Sequence, residues 1–319
     1  MDKRQLHLIS LGALLLSVIC WGLAPVATRY LLEYLTPMHL LIARFCVASL
    51  LFLLLLIPLQ RKKWTKKDLL LLLFCSLTGI IGYNVSITFG IHFIPAGTAS
   101  LVIATESIWI ALLSILLFHE RLHWTVVAGL LMAFTGVGIL LGWTALSASP
   151  NTLEGVSLTL LGAIMWSIYT VSIRSLSRRH GSLTCTGITT IIGTIPLLFF
   201  SDATLVSHLT VLSTTAWVAF FLLAIGSTVV ATWLWNHGLK NVSSSQAGLF
   251  LYLIPFISVT AASMFLGEAI SLNTILGGVL IVGGVILAQA QQFINMMAHH
   301  PTPQPSDTGS ITPIQSKNV

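Results

Sequence analysis

Five consecutive residues, His119-Glu120-Arg121-Leu122-His123, spell H-E-x-x-H, the pattern in which two histidines one helical turn apart bind zinc and the glutamate serves as general base. Flanked by long apolar runs, such a site would make the chain an intramembrane zinc metalloprotease. Three features weigh against that chemistry. The string straddles the connection between two apolar runs, where Arg121 is most easily solvated, so one continuous helical face is not assured. The matching place in the second half reads Gly267-Glu268-Ala269-Ile270-Ser271 and keeps the glutamate without either histidine. No third acidic or histidine ligand lies in a neighbouring run on the same side. His119 and His123 therefore read as interfacial residues, and no metal or other cofactor is expected.

Glu106 poses a different question, because it lies near the middle of the apolar run 97–118. An ionised carboxylate at membrane depth costs several kcal/mol unless it is paired, hydrated or protonated. Glu106 should face a cavity and there bind a substrate amine or a proton; the structural alternative is a protonated acid hydrogen-bonded to a neighbouring helix. Arg44, six residues into the run 38–59, could be its counter-ion, an anchor for a solute carboxylate, or a snorkelling side chain. Arg29 and Glu33, one turn apart, read as an interfacial ion pair. Trp21, Tyr83, Asn84, Thr105, Trp109, Trp166, Tyr169, Thr232, Trp235, Gln246 and Tyr252 form stripes at helical spacing. Each alone is explained by interhelical packing. Together they describe a cavity rich in rings and hydroxyls and poor in fixed charge. Such a cavity suits amino acids or amphiphilic metabolites better than phosphorylated solutes, which call for several intramembrane Arg or Lys.

The elements that must position these groups are membrane helices. With 55% hydrophobic and only 8% charged residues, against roughly 25% charged in soluble domains, the chain cannot be a solvated globule. At about 20 apolar residues per helical crossing, ten spans are predicted: 8–32, 38–59, 69–93, 97–118, 124–143, 154–173, 183–200, 215–237, 243–266 and 272–293. The seventh is the least apolar, diluted by five threonines between Thr184 and Thr194. Lys3, Arg4, Arg61, Lys62, Lys63, Lys66, Lys67, Arg121, Arg174, Arg178, Arg179, Lys240 and Lys317 then fall on one side, which is cytoplasmic by the positive-inside rule. Glu33, Glu154, Asp202 and Glu268 fall on the other, and both termini are cytoplasmic. The net charge of +6 reflects this topology and contact with anionic headgroups, not a nucleic-acid surface. Cys20, Cys46, Cys75 and Cys185 lie inside spans as small packing residues. Residues 298–319 read as a disordered cytoplasmic tail.

The chain also repeats itself. A shift of 148 residues lays Gly90 on Gly238, Glu120 on Glu268, Gly129 on Gly277 and Gly136 on Gly284, while a shift of 145 pairs Trp21 with Trp166 and Arg29 with Arg174. The units are residues 1–150 and 151–297. Because each holds five spans, an odd number, the second enters the membrane inverted, the architecture of many secondary transporters. Glu120 and Glu268 end equivalent spans and are expected to cap the N–H groups of the span that follows, or to act as gates. Glycines of the fifth and tenth spans should let backbones approach closely, within a monomer or at the seam of a homodimer.

Trp21-Gly22, Arg44-Phe45, Phe118-His119-Glu120-Arg121-Leu122, Trp166-Ser167-Ile168-Tyr169 and Leu266-Gly267-Glu268 carry a resemblance to the EamA-type members of the drug/metabolite transporter superfamily, over roughly residues 8–290. Most relatives read Leu-Gly-Glu where this chain has Phe118-His119-Glu120. The resemblance implies a ten-helix carrier in the cell (inner) membrane, exporting small organic solutes by alternating access from a central cavity. Protons are a candidate coupling ion, and without a P-loop ATP does not drive the cycle directly. Besides the zinc protease, the alternative is a membrane scaffold that transports nothing.

Overall fold

The computed structural model describes residues 3–56, 64–118, 124–140, 150–239 and 250–298, and all regular structure among them is helical. The helices are α1 (Lys3–Leu31), α2 (Pro37–Leu56), α3 (Lys66–Phe93), α4 (Ala96–Ala104), α5 (Glu106–Phe118), α6 (Trp124–Leu140), α7 (Pro150–His180), α8 (Ser182–Leu198), a short α9 (Thr204–Thr210), α10 (Thr214–Gly238), α11 (Leu253–Leu266) and α12 (Leu272–Ala298). Five are long and apolar enough to cross a membrane, and five shorter apolar helices lie among them. Their outward faces are apolar too, with Leu54, Leu70, Phe265 and Val279 each at least 60% exposed. A water-soluble protein does not present such a surface; this is a membrane protein.

Local sequence starts and stops these helices. Thr65 Oγ1 accepts the Asp68 N–H while Asp68 Oδ2 accepts the Thr65 N–H, a reciprocal cap on α3. Ser213 Oγ caps α10 through the Ala216 N–H. Gly267 ends α11 at φ 66°, a left-handed turn that a Cβ would strain. The threonines that dilute α8 are satisfied within the helix: Thr189, Thr190 and Thr194 each donate to a carbonyl four residues back. Thr194 also pairs with Ser49 of α2 at 2.8 Å. The seventh predicted span is thus a helix whose hydroxyls are neutralised by its own backbone.

Both α3 and α10 contain a π-helical stretch, Ser76–Gly82 and Leu222–Val230. Such a stretch shifts carbonyls out of register with the usual donors, and side chains answer them. Asn84 Nδ2 donates to Gly79 O and Ile80 O, and Thr228 Oγ1 donates to Leu223 O.

In the packed bundle α1 runs along α10 and α11, α2 along α8, α3 along α7, and α6 against α12. The α6–α12 contact is backbone on backbone. A Cβ on Gly129 would lie 2.4 Å from the Gly284 carbonyl oxygen, and one on Gly136 would lie 2.6 Å from that of Gly277. These glycines are therefore used inside one chain. Cys75 and Cys185, both fully buried, pack beside Leu72, Tyr169, Ile173 and Leu176.

Candidate functional site

Arg44 is the best-placed charged group in the interior. Its Nε donates to Thr228 Oγ1 at 3.1 Å and its Nη1 to Asn84 Oδ1 at 3.4 Å. Thr228 lies in the π-helical stretch of α10, and Asn84 follows that of α3, so one guanidinium joins the two irregular helices. Its carbon also sits 5.1 Å from the centre of the Phe45 ring. Both polar partners are neutral. Glu106 is not its counter-ion, because no ion pair joins the two. Nη2 has no hydrogen-bond partner.

Glu106 opens α5, immediately after Thr105 interrupts the helix by donating to Val102 O at 2.7 Å. The Glu106 carbonyl accepts from Ser167 Oγ of α7 at 2.9 Å. Its carboxylate Oε2 is enclosed and has no hydrogen-bond partner. One turn on, Trp109 Nε1 is likewise enclosed and unpartnered, with its ring edge-on to Phe134 at 5.8 Å.

Rings connect these two groups. Tyr83, adjacent to Asn84, packs on Trp166 at 4.8 Å, and Trp166 packs on Tyr169 at 5.0 Å. Tyr169 fits only because Gly79 has no side chain: a Cβ there would come 2.4 Å from the ring. Three contacts, Arg44 with Asn84, Tyr83 with Trp166 and Ser167 with the Glu106 carbonyl, thus follow one another through neighbours in the chain. Trp21 lies 5.2 Å from Trp235 and donates through Nε1 to Ser227 O, beside Thr228 in the chain. Thr232 Oγ1 donates to Thr228 O, within the same helix. Tyr252 packs with Ile108, Ala133, Val285 and Ala288. Gln246, Glu120 and the whole string His119–His123 lie outside the described residues.

Glu268 corrects one expectation. Instead of capping α12, the helix that follows it, its carboxylate reaches the adjacent α4 and accepts the N–H groups of Ala96 at 2.8 Å and Gly97 at 3.0 Å, at the start of that helix. The left-handed Gly267 turns the chain before it. Arg29 corrects another: it makes no pair with Glu33 and donates to Ile91 O and His92 O at the end of α3. Two further clusters had no sequence signature. His39 meets His208 and Asp202, and Asp68 is held by Arg179 at 2.8 Å and His180 at 3.5 Å, with Trp64 stacked on His180.

Comparison with known proteins identifies this arrangement. The profile of the EamA-like transporter family matches the chain twice, over residues 8–142 and 153–289. The chain belongs to the EamA-like transporter family. An uncharacterized transporter of Archaeoglobus fulgidus is 30% identical, over 86% of this chain and 96% of that one. A "probable terminal-alkyne amino-acid exporter" of Streptantibioticus cattleyicolor is 27% identical, over 86% and 91%. A "probable amino-acid metabolite efflux pump" of Escherichia coli is 28% identical, over 86% and 92%. One solved structure, titled only as a crystal structure of a protein, superposes with a TM-score of 0.60 at 21% identity, covering 92% of this chain and 99% of that one. It shares the fold. This EamA-like transporter thus has membrane transporters and exporters among its relatives.

Proposed function

We propose that this chain is a secondary carrier that exports small organic solutes, amino acids or related metabolites, across the cell (inner) membrane by alternating access. In this reading ten spans form two inverted five-helix repeats, 1–150 and 151–297, with both termini cytoplasmic and the groups around Arg44 and Glu106 forming the central site. The observation that carries it is the position of Arg44, gripped by one acceptor from the irregular stretch of α10 and another beside that of α3. A charged group gripped from both halves is where a rocking carrier binds its cargo.

Three features support the inverted repeat. At the shift of 148, Gly129 matches Gly277 and Gly136 matches Gly284, yet the close contacts are crossed, Gly129 with Gly284 and Gly136 with Gly277. Crossed contacts between equivalent residues are what a two-fold relation between antiparallel helices produces. The π-helical stretches and the caps at Thr65 and Ser213 stand at matching places in α3 and α10. Polar contacts between helix ends also join residues of one predicted side: Asp68 with Arg179 on the cytoplasmic side, and Glu268 with Ala96 and His39 with Asp202 on the other. The names of the two exporters among its relatives support the class of solute. Protein reconstituted into liposomes and screened for flux of a pooled set of metabolites tests the reading. Gradient-driven movement of at least one solute is expected; impermeability to the whole pool would favour a scaffold.

A further inference from the structure

We propose that Asn84 and Thr228 are positioning residues that couple Arg44 to the π-helical stretches of α3 and α10, making the two stretches one linked hinge of the carrier. This deepens the carrier reading above and rests on it. At the shift of 148 residues Ser76–Gly82 falls on 224–230, within Leu222–Val230, so each repeat holds such a stretch at the same place. The closing bonds match as well. Tyr83 N–H passes over Gly79 O to reach Thr78 O, and Ala231 N–H passes over Ser227 O to reach Gly226 O. A regular α-helix would give each passed carbonyl to that same N–H. Side chains take them instead: Asn84 Nδ2 donates to Gly79 O, and Trp21 Nε1 of α1 donates to Ser227 O. Returning either stretch to regular α-helix would expel the side chain that now answers it. It would also rotate the helix beyond by roughly 100°, the turn of one residue.

Arg44 ties the two stretches together. The Asn84 amide is used in full: its N–H groups go to Gly79 O and Ile80 O, which leaves Oδ1 to accept from Arg44 Nη1 at 3.4 Å. The Thr228 hydroxyl gives its one hydrogen to Leu223 O at 2.9 Å and accepts from Arg44 Nε at 3.1 Å. Each link thus has a fixed direction, from guanidinium to side chain to a carbonyl of the irregular stretch. The position matching Arg44 in the second repeat is Ile192, so one guanidinium serves both helices. A solute that draws on Arg44 loosens its hold on Asn84 and Thr228 together, and so reaches a hinge in each repeat at once.

Amide hydrogen exchange on full-length protein in liposomes, read by mass spectrometry over residues 76–84 and 222–231, tests the link without a known solute. Thr228→Val should speed exchange in its own stretch and, through Arg44, by about threefold or more in residues 76–84 of the other repeat. Asn84→Leu should do the converse. In an Arg44→Gln background each substitution should act on its own helix alone, the mark of coupling through the guanidinium. Thr228→Ser, which keeps the hydroxyl, should exchange as wild type does. If each effect stays in its own helix with Arg44 present, or crosses equally well without it, the linked hinge is overturned while the carrier stands. Wild type supplies a second measurement that requires no variant to fold. Its two stretches should lose protection in step as temperature is raised, and independent loss would again overturn the link. Solute flux from the metabolite pool is read separately: impermeability to every solute would remove the carrier reading and leave the exchange coupling as measured.

Discussion

Glu268 Oε1 accepts the backbone N–H of Ala96 at 2.8 Å, joining residues 172 apart in the chain. The carboxylate fills the place that an N-cap side chain would take at the start of α4, where Pro95 supplies no cap of its own. A negative charge is favoured there because exposed N–H groups and the helix dipole both point at it. Glu268→Ala should therefore cost about 1 kcal/mol and lower the unfolding temperature in detergent, with Glu268→Gln between it and wild type. Glu33→Gln, which removes a carboxylate with no such contact, serves as the control. Wild-type unfolding of Glu268→Ala would show that the clasp contributes nothing.

The α6–α12 seam gives a paired test. Gly129→Ala puts a methyl 2.4 Å from the Gly284 carbonyl oxygen, whereas Gly138→Ala meets nothing within 4 Å. The first should destabilise by roughly 1–3 kcal/mol through overpacking, and the second should be neutral. Thermal unfolding of the two single variants measures the difference; equal behaviour would mean the helices are not in backbone contact.

A pH dependence is expected at the His39 cluster. His39 Nδ1 lies 3.0 Å from His208 Nδ1, so one ring must donate and the other accept, while His39 Nε2 meets Asp202 Oδ2 at 3.2 Å. Hydrogen bonds from the Thr204 hydroxyl and N–H, then from His39, hold the Asp202 carboxyl down to about 2. A depressed carboxylate stabilises the fold above its ordinary value, near 4, and that contribution is lost only as pH falls through its folded value of about 2. Asp202 thus stays ionised throughout the range in which histidines titrate. The stability advantage of wild type over Asp202→Asn should therefore hold as pH is lowered from about 8 to about 4 and shrink below that. An advantage that stays constant down to about pH 2 would show that the ionised carboxylate carries none of it.

Orientation can be read directly. A reporter inserted after Lys67 or Arg179 should behave as cytoplasmic, and one within residues 201–214 as external. The Asp68–Arg179 contact of 2.8 Å ties the first two sites to one side. A cytoplasmic signal from 201–214 would end the inverted arrangement.

The H-E-x-x-H string gives the last test. His119→Ala and His123→Ala should leave transport near wild type, and purified protein should lack stoichiometric zinc by elemental analysis. Bound zinc with a peptidase activity abolished by these substitutions would reverse the assignment.

Sequence alone determined the class of protein, its helical and apolar character and the family resemblance, because these depend on local quantities. A run of Leu, Ile and Val partitions into lipid whatever surrounds it, and Lys66 or Arg179 resists translocation one residue at a time. Arg44, Glu106, Tyr83 and Trp166 stood out for the same reason: charge or a polar ring inside an apolar run is costly wherever it lies. Which of them meet was decided only by the tertiary structure. In a membrane helix the lipid face and the protein face are both apolar, so periodicity says little about rotation, and nothing in the sequence tells Tyr252, packed with Ile108, from Tyr83, next to the Arg44 acceptor. The π-helical stretches leave no composition signal, since the extra residue is accommodated by Asn84 and Thr228 answering displaced carbonyls. Glu268 is the plainest case. Its neighbours in sequence point to α12, but a carboxylate goes to whichever helix start is nearest in space, and packing of α11 against α4 made that Ala96 and Gly97.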